Sequence, residues 1–327
     1  MSDERTFCGG CTRRELLARA AGAAALAGVS GGLGCFFHNR RLVPPPRALT
    51  VIPPFRVADT ASEIVIARGN DGAALVRAAL AELGGIARFI KPGDRVLVKP
   101  NCAFDRPPHL GATTLPEVLG EVVRQCVAAG AQVRVTDNPI NDAEGCFAKS
   151  GLKDVTVKAG GELWLPAPAL FRMTQIGTQK ITAWDALATP LVWATKVICV
   201  PTVKSHNLCG ASLAMKNWYG FLGAARARLH QSIDVAIADL GQFITPTLVV
   251  LDGMRLLLRN GPTGGSAADV MPGNVVAVGT DQVALDAFGA ELLGLAPRDI
   301  GYLGLAAQQG VGSLNYSSLR RFREVTA

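Results

Sequence analysis

The sequence predicts an α/β fold in which helices cover both faces of a mostly parallel sheet. From residue 61 onward, short apolar segments alternate with longer helical patterns, the order expected of strand–helix–strand units. The segments 95–98 and 196–200 are almost entirely apolar, as in strands that are buried on both faces. The chain has 327 residues, of which 49% are hydrophobic and 18% charged, so it can bury a sizeable core.

The first half of this pattern has clear boundary signals. Asp71-Gly72 precedes the first helix and Gly84-Gly85 ends it, while Thr113 or Thr114 is expected to cap the second helix. The predicted elements are a strand at 63–67, a helix at 73–83, a strand at 95–98, a helix at 115–129 and a strand at 132–136.

The middle of the chain is less regular and is expected to form a small antiparallel excursion or cap around 150–190. The predicted elements there are a helix at 144–151 and short strands or hairpins at 155–157, 163–165 and 180–184. The alternation then resumes with a strand at 196–200, a helix at 233–240, strands at 247–251 and 274–278, a helix at 282–293 capped by Asp281, and a helix at 298–308.

The N-terminal residues have the pattern of a twin-arginine export signal. Arg13-Arg14 precedes a weakly apolar segment at 18–33, which is too short and too rich in glycine for a stable membrane span. An amphipathic helix is the alternative interpretation, but this composition would give it a poor core face. We therefore expect export by the twin-arginine machinery to the periplasm, where the N terminus or a lipidated Cys35 would be the anchor of a membrane-attached form.

These signals divide the chain into three parts. Residues 1–34 are predicted to be the export signal, residues 35–60 a Pro-rich extended linker, and residues 61–327 a single α/β domain. The linker is expected to be a tether and not a packed element, because it contains runs of two and three prolines.

Charge and cysteine content narrow the classes of partner. The net charge of +7 is spread along the chain, without the basic blocks interleaved with aromatics that track nucleic acid, so we expect small anionic ligands or an anionic surface instead. Cys8-x-x-Cys11 lies in the export signal. The five cysteines of the domain include no CxxC pair and no four-cysteine spacing, which predicts no built-in iron–sulfur cluster.

One stretch, residues 197–220, concentrates the polar side chains typical of a binding site. A buried strand breaks at Pro201, and Lys204, His206, Lys216 and Asn217 follow within sixteen residues around a turn that contains Gly and Ser. Two ammonium groups, an imidazole and an amide at the carboxyl end of a strand suit an anionic ligand. The predicted catalytic residues are His206, as general base or acid, with Lys204 and Lys216.

Other predicted strands also end in polar residues. In an open parallel sheet the carboxyl ends of the strands share one edge, so these side chains are expected to converge there. The predicted ligand-binding residues are Lys99, Asn101, Asn217, Asp137 and Asp252. Thr280-Asp281 also follows a strand, but Asp281 directly precedes a helix and is better explained as its cap.

Two further patterns leave alternatives open. His230 and Asp234 are four residues apart, so on one α-helix they would hold a divalent metal together or form a solvated surface pair. The Gly-rich loop at 260–266 fits neither a dinucleotide-binding nor a P-loop pattern. Its amides would either cradle an oxyanion or belong to a plain surface loop.

Seven ordered segments between residues 62 and 312 carry a resemblance to a known family. They are 97–101 (LVKPN), 136–138 (TDN), 200–206 (VPTVKSH), 213–217 (LAMKN) with Gly220, 251–253 (LDG), 261–262 (GP) and 281–286 (DQVALD). Together they resemble the domain of unknown function 362. The resemblance implies a bacterial or archaeal protein. Many members carry attached four-cysteine ferredoxin-like modules, which this sequence lacks.

A looser similarity links the Lys-Pro-Asn strand and the helix after it to nickel-dependent racemases of 2-hydroxy acids. It implies carboxylate substrates. Two functional hypotheses follow for the whole chain. The first is an enzyme that acts on a small carboxylate or phosphate, with or without a divalent metal. The second is a non-enzymatic metal- or iron–sulfur-associated protein, exported folded, that binds a redox partner.

Overall fold

The computed structural model describes residues 12–39, 48–58, 61–319 and 321–326. The chain forms two compact units, Met1–Ala48 and Leu49–Ala327. Cys8, Cys11 and the prolines at 44–46 lie outside the described residues.

The first unit contains one helix, α1 (Arg13–Asn39). A reciprocal pair of hydrogen bonds begins it, because Thr12 N donates to Glu15 Oε2 (3.0 Å) and Glu15 N donates to Thr12 Oγ1 (3.4 Å). Cys35 lies in the last part of this helix. Within the described residues, the chain has no helix that is both long and apolar enough to cross a membrane.

The second unit is built on a mixed sheet with helices around it. Its strands are β1 (Glu63–Arg68), β2 (Arg95–Pro100), β3 (Gln132–Val135), β4 (Glu162–Leu163), β5 (Arg172–Gln175), β6 (Ala183–Ala186), β7 (Lys196–Val200), β8 (Thr202–His206), β9 (Gly210–Ser212), β10 (Leu248–Leu257), β11 (Val270–Pro272), β12 (Val275–Gly279) and β13 (Arg321–Thr326). Its helices are α2 (Gly72–Glu82), α3 (Pro116–Ala128), α4 (Ala143–Lys149), α5 (Leu152–Lys158), α6 (Ala188–Trp193), α7 (Ala214–Asn217), α8 (Ile233–Phe243), α9 (Gln282–Leu292) and α10 (Gly301–Gln308).

The main sheet has the strand order β13-β1-β12-β10-β7-β2-β3-β4, with β8 and β11 paired to β10 and β9 paired to β8. Along the main order the neighbouring strands run parallel except where β12 meets β1 and β10. A separate antiparallel pair, β5 and β6, forms the small excursion. The predicted α/β class, the mostly parallel sheet and the antiparallel excursion are therefore confirmed.

Two apolar clusters cover the two faces of the sheet. Strand β1 illustrates the division, because Ile64 and Ile66 belong to one cluster while Val65 and Ala67 belong to the other. The first cluster includes the apolar sides of α8, α9 and α10, and the second includes those of α2 and α3. Burial on both faces explains why the sequences of these strands are almost continuous apolar runs.

The prediction of a short strand or hairpin at 155–157 is wrong. It lies in α5, where Leu152 and Thr156 are the buried residues. Their spacing of four places both on one face of a helix, while Val155 and Val157 are less buried. The two valines suggested a strand because β-branched residues favour strands, but the helical spacing of the buried positions prevails.

The predicted cap of α3 is also wrong. Thr114 Oγ1 instead donates to Val200 O (2.6 Å) and accepts from Asn101 N (2.8 Å), which ties the ends of two strands together. A carboxylate from β10 takes the capping role, because Asp252 Oδ2 accepts from Leu115 N (2.7 Å) at the start of α3.

The end of the expected linker packs onto the domain. Phe55 is 2% exposed and belongs to the core cluster that contains Ile64. Thr247 Oγ1 donates to Phe55 O (2.7 Å), and Thr50 forms a bridge with Thr174 of β5. Residues 49–58 therefore differ from the extended tether expected from their prolines.

Candidate functional site

A cavity of about 330 Å³ lies where the carboxyl ends of β2, β3 and β7 meet. This is the volume of a site for a small molecule. Eight of the residues singled out from the sequence line it: Lys99, Asn101, Asp137, Lys204, His206, Lys216, Asn217 and His230. The expected convergence at this sheet edge is thus present for most of the predicted positions.

Lys99 is fully buried and all of its hydrogen-bonding capacity is used. Its Nζ lies 2.8 Å from Asp137 Oδ1, 2.9 Å from Pro100 O and 3.0 Å from Asn217 Oδ1. An ammonium group has three N–H donors, so this one has none left for a ligand. Lys99 therefore contributes its charge to the cavity but no hydrogen bond.

Asp137 is equally occupied. Besides Lys99, its carboxylate accepts from Cys102 N (2.8 Å) and from Asn138 N (2.8 Å). A glycine makes room for this pair. A Cβ on Gly220 would collide with Asp137 Oδ1 and lie 2.6 Å from Lys99 Nζ.

The two asparagines extend the same network. Asn101 Nδ2 donates to Asn217 Oδ1 (3.1 Å), and Asn217 Nδ2 donates to Pro100 O (3.3 Å). Because its amide nitrogen faces the backbone, Asn217 is not placed to stabilise negative charge on a ligand. We call Lys99, Asn101, Asp137 and Asn217 the paired side of the cavity.

Lys204 lies in the same cavity but has different hydrogen-bonding partners from the residues of the paired side. It is 1% exposed, and its Nζ donates to two neutral oxygens, Asn101 Oδ1 (2.9 Å) and Ala112 O (2.7 Å). Within the described residues it has no carboxylate in salt-bridge contact. Burial, and the positive charge of Lys216, lower the pKa of Lys204 to about 7.

Lys216 has still fewer partners. It is 9% exposed and makes no hydrogen bond or salt bridge with any described residue, while its Nζ lies 3.5 Å from the centroid of the Tyr219 ring. Burial lowers its pKa to about 8. The Tyr219 hydroxyl is itself buried and has no hydrogen-bonding partner in the described structure.

His206 completes this half of the cavity. Its Nδ1 accepts from Leu208 N (3.2 Å), and burial together with Lys216 and Lys204 lowers its pKa to about 3. The ring is therefore neutral at physiological pH, and its single proton is on Nε2. This tautomer suits a hydrogen-bond donor better than the general base or acid expected from the sequence. We call Lys204, His206, Lys216 and Tyr219 the open side of the cavity.

Comparison with known proteins places the chain in a family. The family model for the domain of unknown function 362 matches residues 96–291. The chain belongs to this family. The match includes every residue of the paired side and the open side. A thylakoid-associated protein of Synechocystis sp. is 29% identical over 250 residues, which cover 73% of this chain and 74% of that protein.

One of the acidic residues expected near the ligand, Asp252, does not line the cavity of this family member. Strand β10 continues to Leu257, so Asp252 lies within the strand, where its carboxylate accepts from Leu115 N and Met254 N. Burial raises its pKa to about 6. Asp281 lies beyond the opposite edge of the sheet because β12 is antiparallel to β10. It caps α9, as expected.

The proposed metal pair is also separated. His230 lies in a 3₁₀ segment, Arg226–Ser232, and α8 begins only at Ile233, so positions four apart do not share a face. His230 stacks on Tyr219, whereas Asp234 lies against Gly301 at the start of α10. No group of three or more His, Cys, Asp or Glu side chains is arranged to hold a metal in the part of the chain that the structure describes.

The carboxylates of the cavity are a poor match for a hard divalent cation such as Mg²⁺. Of the acidic side chains, Asp137 lines it, and that carboxylate is already paired with Lys99. The surrounding charged groups are lysines and Arg226. Ions such as Mg²⁺ require several oxygen ligands, usually carboxylates, and this cavity does not offer them among its described residues.

Sequence reasoning missed three residues that shape the site. Tyr219 and Arg226 line the cavity, and Asp286 lies behind it. Tyr219 follows Lys216 by three residues, which on a helical turn places both on one face and would have been a usable signal. Arg226 gave no such signal, because its position depends on its bonds to the carbonyls of Asn138 and Leu222.

Asp286 positions the helix that carries Lys216. Its carboxylate accepts from Ala214 N (2.7 Å) and Met215 N (3.0 Å), the first backbone amides of α7. Complete burial raises the pKa of Asp286 to about 8 in spite of these bonds. The short α7 therefore depends on α9 for its N-terminal partner.

Proposed function

We propose that this DUF362 chain is an enzyme that binds a small carboxylate or phosphate on the open side of the cavity. One observation carries the proposal: the Lys216 ammonium is nine-tenths buried without a hydrogen bond or salt bridge to any described residue. Burying an unpaired charge costs free energy, and an anionic ligand would repay that cost.

The charges of the cavity support an anion of this size. Lys99, Lys204, Lys216 and Arg226 line it together with one carboxylate, Asp137, which is already paired. The guanidinium of Arg226 donates to four backbone carbonyls, so its charge is fixed in place without a neutralising partner among the described residues. The net charge of the side chains on the open side is therefore positive when the lysines are protonated.

Hydrogen-bond donors are available on the same side. Lys216 has all of its N–H groups free and Lys204 retains one when protonated. The Tyr219 hydroxyl is unpartnered, and His206 carries its proton on Nε2. Together they supply donors for a carboxylate or phosphate oxygen and for charge that develops on a substrate.

Lys204 favours an enzyme over a simple binding protein. A lysine whose pKa is near 7 exchanges protons readily at neutral pH, which is the property required of an acid–base group. Lys216, His206 and Tyr219 would then hold the substrate, while Lys204 reacts with it.

The experiment is a thermal-unfolding screen against small carboxylates and phosphates. We expect at least one of these anions to stabilise the wild-type protein, and Lys216→Met to reduce its affinity by about tenfold or more, since hydrogen bonds to charged groups contribute about 1.5–3 kcal/mol each. Lys158→Met is the matched control because Lys158 is exposed on α5. An equal ligand response in both variants would refute the proposal.

For cellular location, we propose export by the twin-arginine machinery. Arg13-Arg14 begins α1, and an Ala- and Gly-rich sequence follows within the same helix. Replacing both arginines by lysine should retain the protein inside the cell, as measured by fractionation. Unchanged export of the double variant would refute this proposal.

A further inference from the structure

We propose that Lys204 is a nucleophilic amine that forms an imine with the carbonyl carbon of a small oxo-carboxylate, such as a 2-oxo acid. The inference rests on the proposed function, because it assigns the substrate class of the same cavity. It concerns the bond that Lys204 makes, and not the binding of the anion by Lys216.

The hydrogen bonds around Lys204 suit a neutral amine. A neutral amine has two N–H donors and one lone pair, and Lys204 Nζ has two acceptors, Asn101 Oδ1 and Ala112 O. Both N–H groups are thus satisfied without protonation. The lone pair remains, on a side chain that lines the cavity.

Lys99 shows what the same cavity does with a lysine that stays charged. Its three donors have three acceptors, one of them the carboxylate of Asp137. Lys204 has one acceptor fewer and no carboxylate contact within the described residues. Two buried lysines with such different partners are expected to differ in protonation and in reactivity.

The charged groups that act on Lys204 favour the neutral amine. Lys216 and Lys99 lower its pKa and Asp137 raises it, while burial is the largest effect. The Cys102 thiol also acts on it, but burial raises the pKa of that thiol well above its usual value, so it is uncharged near neutral pH. A substantial fraction of Lys204 is therefore nucleophilic at neutral pH.

Lys216 and Tyr219 would hold the carboxylate of the same substrate. Their donors are free among the described residues, and both side chains line the same cavity as Lys204. A substrate with a carboxylate next to its carbonyl group meets both requirements: an anion for Lys216 and an electrophilic carbon for Lys204. The cavity of about 330 Å³ is large enough for such a molecule.

The step balances without an external oxidant or reductant. The amine lone pair forms a C–N bond as the carbonyl π bond opens, and the oxygen takes up a proton to give a carbinolamine. The C–O bond then breaks and the oxygen leaves as water, which carries away the two protons that the amine nitrogen loses. Protonated Lys216 can donate a proton to the departing oxygen and recover it from the nitrogen.

The test is reductive trapping with glyoxylate, which carries both an aldehyde and a carboxylate. Wild-type protein is incubated with glyoxylate and cyanoborohydride, and the modified lysines are identified by peptide mass spectrometry. We expect Lys204 to be modified faster than the exposed Lys158, and faster as the pH rises through about 7. Lys204→Arg should lose this modification and keep that of Lys158.

A competition experiment on the wild-type protein keeps the inference testable if the buried substitution prevents folding. Inorganic phosphate, or acetate if that anion stabilises the protein more, cannot form an imine and should protect Lys204 but not Lys158. Labelling of Lys204 no faster than that of Lys158 would overturn the imine. If Lys204 is not labelled faster but the anion still stabilises the protein, only the imine is refuted. If the anion does not stabilise the protein either, the proposed function is refuted as well.

Discussion

Lys99 and Lys216 line the same cavity and are both at least nine-tenths buried, yet their ammonium groups have opposite surroundings. Lys99 has three hydrogen-bond acceptors, including Asp137, whereas Lys216 has the face of Tyr219 and no acceptor among the described residues. The difference separates two roles. The paired side holds strand ends together, and the open side keeps donors for a ligand.

The largest expected effect is on the paired side. Lys99→Met should lower the free energy of unfolding by about 3–5 kcal/mol, because it leaves the buried carboxylate of Asp137 without its cation. Chemical denaturation measures the loss. Lys158→Met, which removes the same charge from an exposed position, should change the stability by about 0.5 kcal/mol or less. Equal stability of the two variants would contradict the assigned role of Lys99.

A smaller loss is expected from crowding the same ion pair. Gly220→Ala would place a Cβ against Asp137 Oδ1 and near Lys99 Nζ, and overpacking of this kind costs about 1–3 kcal/mol. Gly304→Ala is the control, because Gly304 lies in α10 with open space around it and alanine favours a helix. If Gly220→Ala were as stable as the control, the ion pair would not depend on the space that Gly220 leaves.

The fold was largely predictable because local signals agreed with the sheet. Apolar runs identified β2 and β7, and the parallel order places Lys99, Asn101, Asp137 and Lys204 at one edge. The reversed direction of β12 was not predictable, because an apolar run does not encode strand direction.

The division of the cavity into two sides could not be read from the sequence. In the sequence, Lys99 ends one apolar run and Lys204 closely follows another, and nothing local distinguishes them. What distinguishes them is which oxygens lie within reach of each Nζ, and those come from residues distant in sequence, such as Asn217 for Lys99 and Ala112 for Lys204. The tautomer of His206 likewise depends on the turn that places Leu208 N against its Nδ1.

A further expected effect is a dependence of ligand affinity on pH. Lys204 and Lys216 have pKa values of about 7 and about 8, so each attracts an anion below its pKa and loses that charge above it. The affinity for a carboxylate should fall by up to about tenfold per pH unit for each group that loses its proton. Calorimetric titration with a carboxylate that has no aldehyde or ketone group measures this dependence. An affinity that stays constant from pH 6 to pH 9 would contradict the binding of the anion by the charged Lys216.

The central claim is that the unpaired charge of Lys216 exists for the ligand and not for the fold. The most direct measurement combines calorimetric anion titration with denaturant unfolding of Lys216→Met. We predict that the variant binds the anion with an affinity lower by about tenfold or more. Its free energy of unfolding should stay within about 1 kcal/mol of the wild type, because the fold loses only a cation–π contact. Wild-type affinity in a folded Lys216→Met protein would contradict the claim.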